Sequence, residues 1–173
     1  LSSIRVGIVG CGQVGEELLS LLDGDSQISV ASILVKDTTK ARKYNKYLYT
    51  NSVSEFFDSG FDVFIDVSSD HISSFYLLEI SLAAGCDAIL CNKELLWTSS
   101  EKILELSNAY GSEILLSSIV SCSADYSRPV DTLSIDNIGD YSPEELYIYR
   151  GGGPKETALD IYTDITKLIE MPH

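Results

Sequence analysis

Ile4-Arg5-Val6-Gly7-Ile8-Val9-Gly10-Cys11-Gly12-Gln13-Val14-Gly15 is the stretch whose reading decides the fold. Val6, Ile8 and Val9 form an apolar run that reads as a buried strand, and Val14, Leu18, Leu21 and Leu22 follow at helical spacing. Between them Gly10, Gly12 and Gly15 have the G-x-G-x-x-G spacing. The first glycine permits a tight turn, the second lets backbone N–H groups approach a pyrophosphate, and the third lets the helix lie close on the strand. The unpaired N–H groups and the positive dipole end of the helix then face the phosphates. Glycines at this spacing also occur in ordinary turns, and it is the strand before and the helix after that favour a dinucleotide site. Gln13 and Val14, at the start of the helix, are counted with the glycines as cofactor-binding.

Outward from this turn the chain alternates strand and helix. Ile28 to Val35 reads as a second strand, followed by a polar stretch that begins as a helix and carries Lys36, Lys40, Arg42, Lys43 and Lys46 within eleven residues. The end of the second strand chooses the cofactor in such folds: an acidic residue accepts from the ribose 2′-OH of NAD, and basic residues accommodate the 2′-phosphate of NADP. Asp37 and Lys36 argue opposite ways. The surrounding bases tilt the balance to NADP, with use of both left open and a plain solvated charge run as the alternative.

Ser52 to Ser59 reads as a short helix or turn, and Phe61 to Val67 as a strongly apolar strand closed by Ser68 and Ser69. Hydroxyls at the carboxyl end of a parallel strand line the ligand crevice, or cap the next helix. That helix places Ile72, Phe75, Tyr76, Ile80 and Ala83 on one face and ends at Gly85. Cys86 to Cys91 is the next strand, and Lys93, directly after it, sits over the crevice, where it would polarise a carbonyl or relay a proton. A solvated strand-end charge is the plainer alternative. Thr98-Ser99-Ser100-Glu101 reads as a capping box opening a helix that Gly111 terminates, and Ile114 to Val120 as a sixth strand. The expected fold is therefore α/β, a doubly wound parallel sheet of Rossmann type in three α/β/α layers.

Residues 1–120 are expected to form the dinucleotide-binding domain, and 121–173 a returning segment whose final helix packs on it. In that segment Ser121 to Tyr141 has little periodicity, Ser142-Pro143-Glu144-Glu145 reads as a helix cap, and Leu146 to Arg150 as a strand. Gly151-Gly152-Gly153-Pro154 then enters a helix with Ala158, Ile161, Ile165 and Leu168 on its buried face. This second glycine loop before a helix either approaches the cofactor or is a plain turn.

Composition narrows the class. With 173 residues, 45% hydrophobic and 22% charged, the chain has the make-up of a soluble globular domain. A net charge of −14 opposes a nucleic-acid surface, and no apolar run is long enough to span a bilayer. The expectation is a cytoplasmic protein with a small-molecule substrate and neither nucleic-acid nor membrane partners. The four cysteines, Cys11, Cys86, Cys91 and Cys122, lack C-x-x-C pairing and read as buried thiols. Of the two histidines, His71 reads as a surface or capping residue, so no metal site is expected.

The order of these segments resembles the nucleotide-binding part of homoserine dehydrogenase. The resemblance rests on Gly10-Cys11-Gly12-Gln13-Val14-Gly15, Asp66-Val67-Ser68-Ser69, Asn92-Lys93-Glu94-Leu95-Leu96, Asp125-Tyr126-Ser127-Arg128-Pro129 leading to Asp136-Asn137, and Gly151-Gly152-Gly153 followed by Thr157-Ala158. It implies that Lys93 is catalytic beside a nicotinamide, that Ser68, Ser69, Asn92, Lys93 and Gly153 touch the cofactor, NADP or NAD, and that the full protein is a homodimer. The family's substrate domain, with a second catalytic lysine and a dimer-forming sheet, would lie between about residues 120 and 125 and is absent. The family's glutamate near the end of the sixth strand, associated with a monovalent cation, is replaced by Ser117 or Ser118. Since the chain also opens at Leu1, it is expected to be the discontinuous nucleotide-binding domain of a longer enzyme, inactive alone. Another amino-acid-type dehydrogenase, such as aspartate dehydrogenase, and a non-catalytic nucleotide sensor are the rival readings.

Overall fold

Apolar β-branched residues bounded by glycines and polar turns give short strands, and among the described residues six of them align in one parallel sheet. The computed structural model describes residues 3–44, 46–116, 119 and 153–171. The strands are β1 (Ile4–Val9), β2 (Ile28–Leu34), β3 (Tyr49–Thr50), β4 (Val63–Asp66), β5 (Asp87–Leu90) and β6 (Ile114–Leu115). The helices are α1 (Gln13–Leu22), α2 (Val53–Asp58), α3 (His71–Ala83), α4 (Lys93–Tyr110) and, from the C-terminal segment, α5 (Pro154–Glu170). Spatial order is β3-β2-β1-β4-β5-β6 with every pairing parallel. The chain runs outward from β1 to β3, then returns to β1's other side with β4. That reversal is the topological switch point, where the carboxyl ends of strands leave a crevice.

Both faces of the sheet are covered, so its central strands are apolar throughout rather than alternating. Val6, Ile8, Ile33, Val63, Ile65 and Ile89 pack with Leu18, Leu19 and Leu22 of α1 and with Ala158, Ile161, Ile165 and Leu168 of α5. On the other face Phe64, Ala88 and Leu90 meet Phe56, Leu77, Leu78, Leu82, Leu95, Leu96 and Ile103 from α2, α3 and α4. Each such side chain removed from water contributes about 1.5–3 kcal/mol. The Tyr162 hydroxyl of α5 also donates to Asp25 Oδ2 at 2.7 Å, fastening the final helix to the loop between α1 and β2.

The structure corrects several local expectations. Leu21 is exposed and Leu19 takes its place under the sheet. The basic stretch after β2 is bends and turns rather than a helix, and it leads into β3, two residues too short to show a period. Helix α3 buries Ser74, Leu77, Leu78, Ser81 and Leu82, while Ile72 and Tyr76 stand outward. Apolar residues encircle this helix, so packing, not pattern, chooses its inner face; Ser81 is accommodated by donating to Leu77 O at 2.8 Å. Asp70, rather than Ser68 or Ser69, caps α3, accepting from the Ser73 N–H.

Helix α4 starts five residues before the anticipated capping box. Asn92 caps it, accepting from the Leu95 N–H at 3.1 Å, and Thr98 turns its hydroxyl back to Glu94 O at 2.8 Å inside the helix. Gly111 ends it in the left-handed conformation. β6 is shorter than anticipated, and Ile119 is already helical. The expected elements over 121–150 lie outside the described residues, as does Cys122. Cys11 and Cys86 are free thiols, and burial pushes Cys86 up to about 11. No described helix is long and apolar enough to cross a membrane.

Candidate dinucleotide site

The glycine turn leaves β1 at the switch point. Gly10 has φ of +90°, and its N–H donates to Leu34 O at 2.9 Å, tying the turn to β2. A Cβ on Gly10 would sit 3.0 Å from Ser68 N and Cα and 3.1 Å from Val67 C. The turn is therefore seated directly on the backbone that follows β4, leaving no room for a side chain. Gly12 is the opposite case: it is exposed, its φ is −90°, and a Cβ there would meet nothing within 4 Å. Glycine is not needed at Gly12 by the fold, so the space in front of it is left for something else. Gly15 contacts the turn at ordinary distance, its Cβ position 3.4 Å from Gly10 O.

The caps make the same point. Helices α2, α3 and α4 are capped by the side chains of Ser52, Asp70 and Asn92, whereas α1 and α5, entered through Gly12 and Gly153, have no side-chain cap. Uncapped N-terminal N–H groups with a positive dipole end are an anion's natural seat. Gly153, at φ 100° and ψ 176°, occupies backbone space essentially reserved for glycine. These residues fit a dinucleotide's pyrophosphate at the α1 end.

Beside the turn opens a cleft of about 650 Å³. Val9 and Gly10 form its inner end, Val35 and Lys36 one rim, Asn51 and Val53 its far wall, and Ser68, Asp70, Ile72 and Tyr76 the opposite side. Of the residues expected at the site, Gly10, Lys36 and Ser68 come together here. Gly12, Gln13, Val14 and Gly15 form the turn and first helical turn alongside it. Ser69, Asp37, Asn92, Lys93 and Gly153 do not line this cleft.

Asp37 is committed locally. Its Oδ1 accepts from the Thr39 N–H at 2.8 Å and the Thr39 hydroxyl at 2.7 Å, and these bonds hold its carboxyl below the ordinary range. Of the basic cluster, Lys36 reaches the cleft, while Arg42 braces the turn, donating to Asp37 O at 2.7 Å and Cys11 O at 3.3 Å and lying 4.8 Å over the Tyr49 ring. Lys43 and Lys46 lie over Tyr44 and Tyr47 instead.

Beneath the cleft is a buried polar chain. Asp66 is fully buried at the end of β4, with Oδ1 accepting from the Ser68 N–H at 2.9 Å and Oδ2 lacking a hydrogen-bond partner. Burial pushes its carboxyl up. Ser68 Oγ shares a 2.9 Å bond with Ser74 Oγ, and Ser68 O accepts from Asn92 Nδ2 at 3.4 Å. Asn92 in turn caps the helix whose first residue is the half-buried Lys93. Thus the crevice floor and the N-terminus of α4 are joined through one serine. His71 Nδ1 lies 3.3 Å from Glu94 Oε2, on the flank of the same two helices, and among the described residues no three His, Cys, Asp or Glu side chains gather as a metal site.

Asp70, Ile72, Tyr76, Asn51 and Val53 are cleft residues that sequence reasoning missed. Only Asp70 carried a signal, the Asp-x-x-Ser cap pattern with Ser73.

Comparison with known proteins fits this geometry. No curated protein sequence matches the chain. Among solved structures it is similar to a homoserine dehydrogenase from Thiobacillus denitrificans, at 20% identity and TM-score 0.64, over 70% of this chain and 31% of that one. It is similar to S. aureus homoserine dehydrogenase at 17% identity and TM-score 0.61, over 95% of this chain and 48% of that one. A third is a hyperthermophilic archaeal homoserine dehydrogenase mutant in complex with NADPH, at 20% identity and TM-score 0.58, over 70% and 46%. These likenesses establish the fold, and the chain spans less than half the length of each enzyme. The family model described as homoserine dehydrogenase, NAD binding domain, matches residues 10–117, from the first glycine of the turn to just past β6. With that match covering well over half its length, the chain belongs to the homoserine dehydrogenase NAD-binding domain family.

Proposed function

We propose that this chain is the nucleotide-binding part of a homoserine dehydrogenase that interconverts aspartate 4-semialdehyde and homoserine with NADP or NAD. The observation that carries the reading is the seating of the turn: Gly10 packed on Ser68, Gly12 open to solvent, and an uncapped helix behind them at the switch point. The bound nicotinamide would supply or accept the hydride. The chain's own residues would hold the pyrophosphate through the N–H groups of Gly12 to Gly15, contact the dinucleotide through Lys36 and Ser68, and orient it through the Asn92 link to α4. Lys93, first in α4, would hold the substrate or pass a proton to the forming alkoxide.

The substrate domain that completes such an enzyme would enter the chain between about residues 120 and 125, leaving residues 1–120 and 121–173 as the two parts of the nucleotide domain. We place the full protein in the cytoplasm as a homodimer. The test has two arms. Calorimetry of this chain with NADPH and NADH should give saturable binding of at least one, with no turnover of homoserine. The longer protein should reduce NADP or NAD when given homoserine, followed at the nicotinamide absorbance. Binding without turnover by the longer protein would favour a nucleotide sensor, and absence of binding in both would overturn the site.

A further inference from the structure

Lys36 and Asp70 come from opposite sides of the cleft, one from the end of β2 and one from the turn after β4, and meet with Nζ 3.1 Å from Oδ2. The two partners are not equivalent. Asp70 is fixed: as the cap of α3 its Oδ1 accepts from the Ser73 N–H at 3.2 Å and its Oδ2 from the Ser73 hydroxyl at 3.1 Å. Its side chain is only 30% exposed, against 88% for Lys36. The Ser73 N–H and then Lys36 hold the Asp70 carboxyl below its ordinary value, so it is charged at neutral pH. Lys36 stands on a flexible four-carbon stem and is the member able to move.

Asp37, the residue expected to speak for NAD, does not line the cleft, and its Oδ1 is engaged by the Thr39 N–H and hydroxyl. The balance at this rim is therefore struck between Lys36 and Asp70. We propose that Asp70 is a specificity-determining residue set against Lys36: by holding the ammonium, it cancels the charge that would draw a 2′-phosphate and so moderates any preference for NADP over NAD. The inference rests on the dinucleotide reading above. A 2′-phosphate reaching Lys36 must share it with a carboxylate that the helix cap prevents from retreating. A 2′-hydroxyl meets no such opposition. At an exposed pair one such charge is worth roughly 5- to 10-fold in affinity.

Asp70→Asn removes the charge and keeps the cap, since asparagine is as good an N-cap as aspartate, and the melting temperature checks that α3 is intact. Calorimetric titration of the 173-residue chain, Asp70→Asn, Lys36→Met and the double variant with NADPH and with NADH makes the test. Asp70→Asn should tighten NADPH about 5- to 10-fold and leave NADH within about twofold. In the Lys36→Met background the same substitution should change NADPH by less than about twofold, because the ammonium it liberates is gone. Equal changes for both nucleotides, no change, or an effect that persists without Lys36 would overturn the proposal. Should neither nucleotide bind the parent chain, the same variants are titrated in the longer protein, and absence of binding there too overturns the dinucleotide reading and this inference with it.

Discussion

Substituting the two leading glycines of the turn should separate folding from binding, because the structure gives them opposite surroundings. At Gly10 an alanine must hold φ near +90°, a left-handed strain of about 1–2 kcal/mol. Its Cβ, 3.0 Å from the backbone N and Cα of Ser68, must also push β4's exit aside, and overpacking of this kind costs about 1–3 kcal/mol. Together these come to about 3 kcal/mol, or a melting point lowered by roughly 6–12 °C in a chain of this size. At Gly12 a valine meets nothing within 4 Å and keeps an ordinary φ. It costs only the poorer cap, about 1 kcal/mol, or roughly 2–4 °C.

Binding should rank the other way. Valine at position 12 fills the approach to the uncapped N–H groups of α1, and loss of those bonds should weaken NADPH and NADH by at least about 100-fold, or about 2.7 kcal/mol. Thermal melts followed by circular dichroism and calorimetric titrations of Gly10→Ala and Gly12→Val decide the matter. A Gly12→Val chain that binds within threefold of the parent would refute the placement of the pyrophosphate. One that melts as low as Gly10→Ala would refute the claim that the space before Gly12 is open.

In the longer enzyme, Lys93→Ala should lower kcat by about 10²- to 10⁴-fold while the dinucleotide Kd stays within about threefold, separated by steady-state kinetics and calorimetry. Asp66 is a carboxyl raised by burial, so the folded chain holds its proton more tightly than the unfolded chain. Its contribution to stability therefore falls as pH rises from the ordinary 3.8 through the raised value. Asp66→Asn should accordingly stabilise the chain at pH 7 relative to the parent, with the difference shrinking toward pH 3 in urea titrations. Ile165→Ala, fully buried where α5 meets the sheet, should cost about 2–5 kcal/mol, whereas Leu159→Ala, 53% exposed on the same helix, should change stability by less than about 0.5 kcal/mol.

What was legible beforehand was local or strictly periodic. Gly10 to Gly15 announces itself because a turn's geometry is set by the residues within it, and Ala158, Ile161, Ile165 and Leu168 announce α5 because a single apolar stripe can face only one way. The inner face of α3 was not legible: with Ile72, Tyr76, Leu77 and Leu78 distributed around it, only the sheet and α4 choose which go inside. Thr98-Ser99-Ser100-Glu101 has the letters of a cap, yet Asn92 had already opened the helix, so the Thr98 hydroxyl that would open one in isolation bonds back within it. The candidate site divides the same way. Gly10, Lys36 and Ser68 could be found from strand ends, but Asp70 becomes a cleft residue only through Lys36, 34 positions earlier in sequence and adjacent in space.

The bond from Tyr162 to Asp25 spans 137 residues, and with the packing of α5 on α1 it sets the order in which this domain can be finished. A ribosome releases α1 early and α5 late. Until α5 emerges, Leu18, Leu19, Val6 and Ile33 lack part of their cover, and the sheet has one dressed face and one that α1 covers only in part. Native contacts of such long range are slow to form and leave apolar surface open to association in the interval. The nascent chain is thus a natural client for chaperones that shield hydrophobic surface, and truncations that stop short of α5 should be recovered as aggregates rather than as smaller soluble domains.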